Sequence, residues 1–102
     1  ERYVEWNSGF NVESDFTASL WGRDFNENSD IITMIDDEGN NVVIRYRTNA
    51  DGTVYADATV TNGTIIYYIF SPSITAPTAT QKIQFWFRRI GYQYEIKLEI
   101  VS

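Results

Sequence analysis

The sequence predicts an all-β fold, an antiparallel β-sandwich of about eight strands with jelly-roll or Greek-key-like connections, in one domain spanning residues 1–102. Three observations predict it. Alternation of apolar and polar residues returns about every ten residues, while no window of about eleven holds a 3.6-residue apolar period. Turn chemistry separates the alternating segments, most clearly at Asn49-Ala50-Asp51-Gly52 and Asn62-Gly63. Between Ser71 and Thr80 lie both prolines and no strand pattern, as a long crossover between sheets requires.

Each element follows in order. Arg2 to Trp6 is a short first strand closed by Asn7-Ser8-Gly9. Phe16 to Arg23 sets Phe16, Ala18 and Leu20 on one face and Thr17, Ser19, Trp21 and Arg23 on the other. A polar loop, Asp24 to Asp30, leads to Ile31–Ile35; the turn Asp37-Glu38-Gly39-Asn40 leads to Val42–Thr48, with Val42, Ile44 and Tyr46 opposite Val43, Arg45 and Arg47. Val54, Ala56, Ala58 and Val60 form the next inner row, opposite Tyr55 and Asp57. Ile65 to Phe70 is apolar on both faces, which predicts a strand covered on both sides. The last segment, Gln81 to Ser102, reads as a hairpin turning around Ile90-Gly91. Ile83, Phe85 and Phe87 share one face of its first strand, and Tyr92, Tyr94, Ile96, Leu98 and Ile100 share one face of its second. A chain that ends in its best strand predicts that strand inside a sheet.

Composition narrows the function classes. Without histidine or cysteine there is no disulfide, thiolate nucleophile, soft-metal site or imidazole acid–base chemistry. A net charge of −6 argues against nucleic acid as a partner, although Arg45/Arg47 and Arg88/Arg89 form two local basic pairs. No stretch approaches the roughly eighteen apolar residues of a membrane span. A chain beginning at Glu1 is expected to be a processed protein or a domain of something longer. The Thr-, Asn- and Tyr-rich, lysine-poor composition leans towards an extracellular, cell-surface or virion setting.

The strand Phe16-Thr17-Ala18-Ser19-Leu20-Trp21 resembles an early strand of laminin-G and concanavalin-like jelly rolls and of carbohydrate-binding modules of similar shape. The closing Tyr94-Glu95-Ile96-Lys97-Leu98-Glu99 is similar to the final strand of such modules, including those on phage tail proteins. The resemblance implies a non-catalytic sugar-binding or adhesive module.

The residues themselves nominate several sites. Trp21, Tyr55 and Trp86 lie opposite their strands' apolar rows, beside Arg23, Asp57, Gln84 and Arg88. Flat rings stack on the C–H faces of sugars while carboxylate, amide and guanidinium groups take hydroxyls, so Trp21, Tyr55, Asp57, Gln84, Trp86 and Arg88 are the candidate carbohydrate residues. The competing reading is that these rings lie under a loop or a neighbouring subunit. Asp24, Asn26, Asn28 and Asp30 place oxygens at alternate positions, the spacing of a calcium loop. No glycine stands sixth, however, and Ile35 occupies the place of the bidentate Glu, which favours a solvated loop; no other cofactor is expected. Asp36, Asp37 and Glu38 form a second acidic turn. Asn62-Gly63-Thr64 fits an N-glycosylation acceptor, but the hairpin explains it without a glycan. Asp57, Glu95 and Glu99 are the strand carboxylates that a glycosidase would need as a pair, and no spacing singles two of them out, so no enzyme is expected.

Two readings follow. One is a structural or adhesive module binding carbohydrate through an aromatic sheet face. The other is a subunit of a filament, appendage or phage particle whose partners are copies of itself or neighbouring subunits. It would assemble through long apolar strands such as Ile65–Phe70 or Ile96–Val101, if either lies at a sheet edge.

Overall fold

The computed structural model describes residues 2–6 and 10–101; the turn expected at Asn7-Ser8-Gly9 lies outside them. Eight strands run β1 (Arg2–Trp6), β2 (Phe16–Gly22), β3 (Ser29–Ile35), β4 (Asn41–Thr48), β5 (Val54–Asn62), β6 (Ile65–Phe70), β7 (Ile83–Ile90) and β8 (Gln93–Ile100). They form two antiparallel sheets, ordered β1-β2-β7-β8 and β3-β4-β5-β6. Among the described residues there is no helix, hence none long and apolar enough to cross a membrane.

The order departs from a jelly roll, in which successive strands alternate between sheets. Here the chain changes sheet only through residues 23–28 and 71–82, so the second sheet is a consecutive meander. The physical reason is that β3 to β6 are joined by tight turns, and a tight turn can only make neighbours in one sheet. The long connection 71–82 is the crossover that the prolines foretold, although Ile74 first makes a two-way backbone bridge to Val54, at 2.9 and 2.8 Å.

Period-two burial organises the interior. From the first sheet come Phe16, Ala18, Leu20, Ile83, Phe85, Phe87, Ile96 and Leu98; from the second come Met34, Val42, Ile44, Tyr46, Val54, Ala56, Ala58 and Val60. The two inner rows share one core, a sandwich-like arrangement. Phe85 meets Tyr46 across the gap edge to face, with centroids 6.0 Å apart. Two loop residues complete the core, Phe25 against Phe85 at 5.2 Å and Val12, which is fully buried.

Val12 is held from both sheets. Its N–H donates to Asp36 Oδ2 at 3.1 Å and its carbonyl accepts from the Tyr94 hydroxyl at 2.8 Å. Asp36, expected as part of an acidic turn, is instead a buried clip whose Oδ1 also accepts from Glu38 N and Asn40 N, at 3.0 and 2.9 Å.

Several expectations are corrected. β3 begins at Ser29, so Asp30 belongs to a strand rather than to the loop. The β5–β6 turn is Gly63-Thr64, one residue later than Asn62-Gly63, because Asn62 pairs with Ile65. Likewise Gly91-Tyr92 turns β7 into β8, so Tyr92 is no part of the inner row and is 95% exposed. In both turns glycine takes the positive φ (+62° and +61°) and the second residue does not, the arrangement of a type II′ hairpin. The largest correction concerns position in the sheet. β8 and β6 both lie at edges, and β6, expected to be covered on both sides, is mostly exposed.

Candidate functional site

The six residues nominated for carbohydrate do not form one face. Trp21, Gln84, Trp86 and Arg88 stand on the outer face of the first sheet, whereas Tyr55 and Asp57 stand on the outer face of the second. The reason lies in the pairing: β2 and β7 are neighbours, while β5 sits between β4 and β6 in the other layer.

On the first face, register aligns three rows across β2, β7 and β8: Trp21–Gln84–Glu99, Ser19–Trp86–Lys97 and Thr17–Arg88–Glu95. The polar groups largely satisfy one another. Trp86 Nε1 donates to Glu99 Oε1 at 2.9 Å, Arg88 Nε donates to Glu95 at 2.6 Å, and Lys97 lies 3.5 Å from Glu99. The Trp86 hydrogen bond, and after it the charge of Lys97, hold the Glu99 carboxyl below its ordinary value against a desolvation that opposes them. Lys82 covers the Trp21 ring at 4.6 Å, a cation–π contact. A depression of ≈ 410 Å³ remains beside Trp86, and its walls are mostly these paired charges.

The second face carries a different arrangement. β4 contributes Arg45 and Arg47, β5 contributes Tyr55, Asp57 and Thr59, and β6 contributes Tyr68 and Phe70. Asp57 is buried although it points outward, because two guanidinium groups close over it. Arg47 Nε donates to Asp57 Oδ2 at 2.8 Å, and Arg45 Nη1 donates to Asp57 Oδ1 at 3.3 Å and Thr59 Oγ1 at 2.7 Å. Arg45 Nε also meets Asp30 at 2.9 Å. The Asp57 hydrogen bond raises the Arg47 guanidinium further above its ordinary value, so it stays charged at any working pH. Around this paired polar floor stand Tyr55 and Phe70, centroids 6.4 Å apart, and the exposed Tyr68. The cleft measures ≈ 470 Å³.

Arg45, Arg47, Thr59, Tyr68 and Phe70 are not among the carbohydrate residues expected from sequence, where Arg45 and Arg47 stood as a basic pair and Tyr68 and Phe70 as part of an apolar strand. The signal was present: alternation puts both arginines opposite Val42, Ile44 and Tyr46, and the hairpin register sets Tyr68 beside Thr59 and Phe70 beside Asp57.

The candidate calcium loop is partly engaged elsewhere. Asp30 is ion-paired to Arg45, and Asn28 Oδ1 accepts from Thr48 N at 3.2 Å. Asp24 and Asn26 precede β3 in the connection between sheets. Among the described residues no three acidic, histidine or cysteine side chains gather as a cation site. Of the strand carboxylates, Glu95 and Glu99 lie on β8 and Asp57 on the other sheet, each bound to a basic or indole partner. The basic pairs are also neutralised locally, since Arg88 meets Glu95 and Arg89 meets Asp15 and the Glu13 carbonyl.

The sheet edges form a third candidate surface. β3 carries a register shift between Asp30 and Ile32, β8 carries Glu95, Lys97 and Glu99, and β1, the fourth edge, holds Arg2 and Glu5 in its sequence. Register shifts and edge charges are both recognised devices against edge-to-edge pairing. β6 has neither bulge, charge nor proline, and it exposes Ile65, Ile66, Tyr67, Tyr68 and Phe70. Among the described residues its strand partner is β5 alone.

Compared with protein-family models, curated proteins and solved structures, the chain matches none.

Proposed function

We propose that this chain is a non-catalytic structural module that joins other chains by adding a strand to β6. The observation that carries the reading is the contrast between the four edges: β3 carries a register shift, β1 and β8 hold charged residues in their sequences, and β6 has neither. Strand addition draws affinity from backbone hydrogen bonds and specificity from alternate side chains. An apolar strand with open backbone groups supplies both. Such a role suits an extracellular, surface-appendage or virion setting, where subunits are built into larger assemblies.

The test uses a soluble peptide copying Gly63–Phe70 with lysines added at both ends. In amide NMR spectra, the β6 signals are expected to shift on titration while those of β3 and β8 stay in place. Unmoved β6 signals at millimolar peptide would remove the reading.

The ≈ 470 Å³ cleft favours a second reading, carbohydrate binding beside that edge. Tyr55, Tyr68 and Phe70 offer ring faces, while Arg47 and Thr59 supply donors and acceptors for hydroxyls. On a mixed array of neutral and acidic glycans, the parent chain is expected to retain one glycan class. Tyr55→Ala and Arg47→Ala should each weaken that retention about ten-fold or more, near 1.4 kcal/mol. A parent chain retaining nothing, or variants retaining glycan fully, would dismiss carbohydrate as the ligand.

A further inference from the structure

We infer that the strand added to β6 comes from a second copy of this chain, antiparallel about a two-fold axis that passes beside Tyr68. The inference rests on the reading of β6 as an assembly edge and names its partner. It begins with which backbone groups are free. The Ser71 amide donates to Ala56 O at 2.9 Å, and Ser71 Oγ accepts from Ala56 N at 2.8 Å, just beyond the Asp57–Phe70 pair. Bonding directions alternate along an antiparallel ladder, so Ile65, Tyr67 and Ile69 bond inward to β5. The backbone groups of Ile66, Tyr68 and Phe70 therefore face outward.

A two-fold axis normal to the sheet keeps the outer faces of both copies on one side. With Tyr68 opposite its own counterpart, Ile66 falls opposite Phe70 and Phe70 opposite Ile66. Every outward backbone group of the strand then has a partner. The same register sets Tyr67 opposite Ile69 on the other face. Each apolar side chain of the strand between Ile66 and Phe70 meets an apolar or aromatic one, a kind of cross-strand pair that stabilises sheets. A strand from an unrelated chain has no reason to match both rows.

Charge and area agree with this occupant. Two copies of net charge −6 repel, so their contact must be free of charge, and β6 holds none. The carboxylate nearest to it in register, Asp57 opposite Phe70, is already paired with Arg45 and Arg47. Exposures of 40% for Tyr67 to 67% for Tyr68 set the scale for the strand's apolar surface. Five such side chains leave on the order of 500 Å² per copy, so roughly 1,000 Å² is the upper bound for a pair, whose outer faces at Ile66, Tyr68 and Phe70 stay open to solvent; the contact lies at or below the lower end of a specific interface. The association should accordingly depend on concentration within an accessible range.

The absence of cysteine makes the test clean, since any introduced thiol is the only one. Tyr68→Cys is expected to cross-link to its own copy with a short bis-maleimide, because directly opposed residues lie about 5.5 Å apart. Thr33→Cys on β3 and Lys97→Cys on β8 should not. In sedimentation, the parent chain should reach dimer mass, and Tyr68→Phe with it. Tyr68→Lys, which sets like charges face to face, should weaken association about ten-fold or more while leaving the circular dichroism spectrum unchanged. Cross-linking through β3 or β8 instead of β6 would overturn the inference. So would a parent chain that stays monomeric at millimolar concentration. If the Gly63–Phe70 peptide still binds that monomer, the edge is an assembly site for a different chain; if it does not, the assembly reading falls as well.

Discussion

Phe85→Ala is expected to destabilise the domain by about 3–5 kcal/mol, more than any substitution on the outer sheet faces. Phe85 is 1% exposed and sits in β7, an inner strand of the first sheet. Its ring meets Phe25 at 5.2 Å and Tyr46 at 6.0 Å, both edge to face, so it joins a loop and both sheets in one contact. The gap that Ala18, Leu20, Met34 and Ile44 line beside it holds just ≈ 10 Å³. Removing the ring therefore opens a cavity that neighbours on two layers cannot both close. Domains of this size hold about 5–15 kcal/mol in total, so roughly a fifth of the stability disappears at the least, and most of it in a marginal domain. Urea unfolding should show the midpoint drop with little change in slope. A loss below about 1 kcal/mol would mean that the two sheets do not share a core.

Asp36→Ala should come next, at about 2–4 kcal/mol. The carboxylate accepts from three backbone N–H groups, Val12, Glu38 and Asn40, and its removal leaves all three without that acceptor. The Val12 amide is the critical one, because Val12 itself is completely buried and solvent reaches it poorly. An orphaned buried donor loses its full hydration, whereas the two turn donors can partly recover water. Asp36→Asn should fall between parent and alanine variant, since the amide keeps one acceptor oxygen and turns a donor group towards a donor. Hydrogen exchange at Val12 gives the local reading: its protection should collapse in Asp36→Ala before global unfolding. Parent-like stability, within about 0.5 kcal/mol, would show that the loop needs no clip.

These two residues also mark where sequence reasoning stops. Phe85 was legible as an inner residue because it alternates with Gln84 and Trp86. Asp36 was not, because an acidic residue in a polar turn reads the same whether it is solvated, bound to an ion or capping buried amides. Val12 and Phe25 escaped for a related reason. They lie outside any alternating segment, so nothing periodic marks them as core.

The candidate site shows the same division. That Tyr55 and Asp57 face outward followed from the row Val54, Ala56, Ala58 and Val60. That they share a face with Arg45, Arg47, Tyr68 and Phe70, and not with Trp86, depended on which strands are neighbours. For the β5–β6 hairpin the turn nearly settles this. For β2 beside β7 it does not, since some sixty residues, and the whole second sheet, intervene.

By itself the sequence determined the secondary-structure class, most strand bounds and the inward rows, since a period of two is a local property of each strand and needs no knowledge of its neighbours. The tertiary structure alone decided which strands end the sheets. Ile65–Phe70 has the same apolar text whether it lies between two strands or beside one. After Phe70 the chain bridges Val54 through Ile74 and then leaves for the other sheet, so among the described residues β5 is the one strand beside it. Edge position is set by long-range connection, and it is what turns an ordinary apolar strand into a surface for a partner.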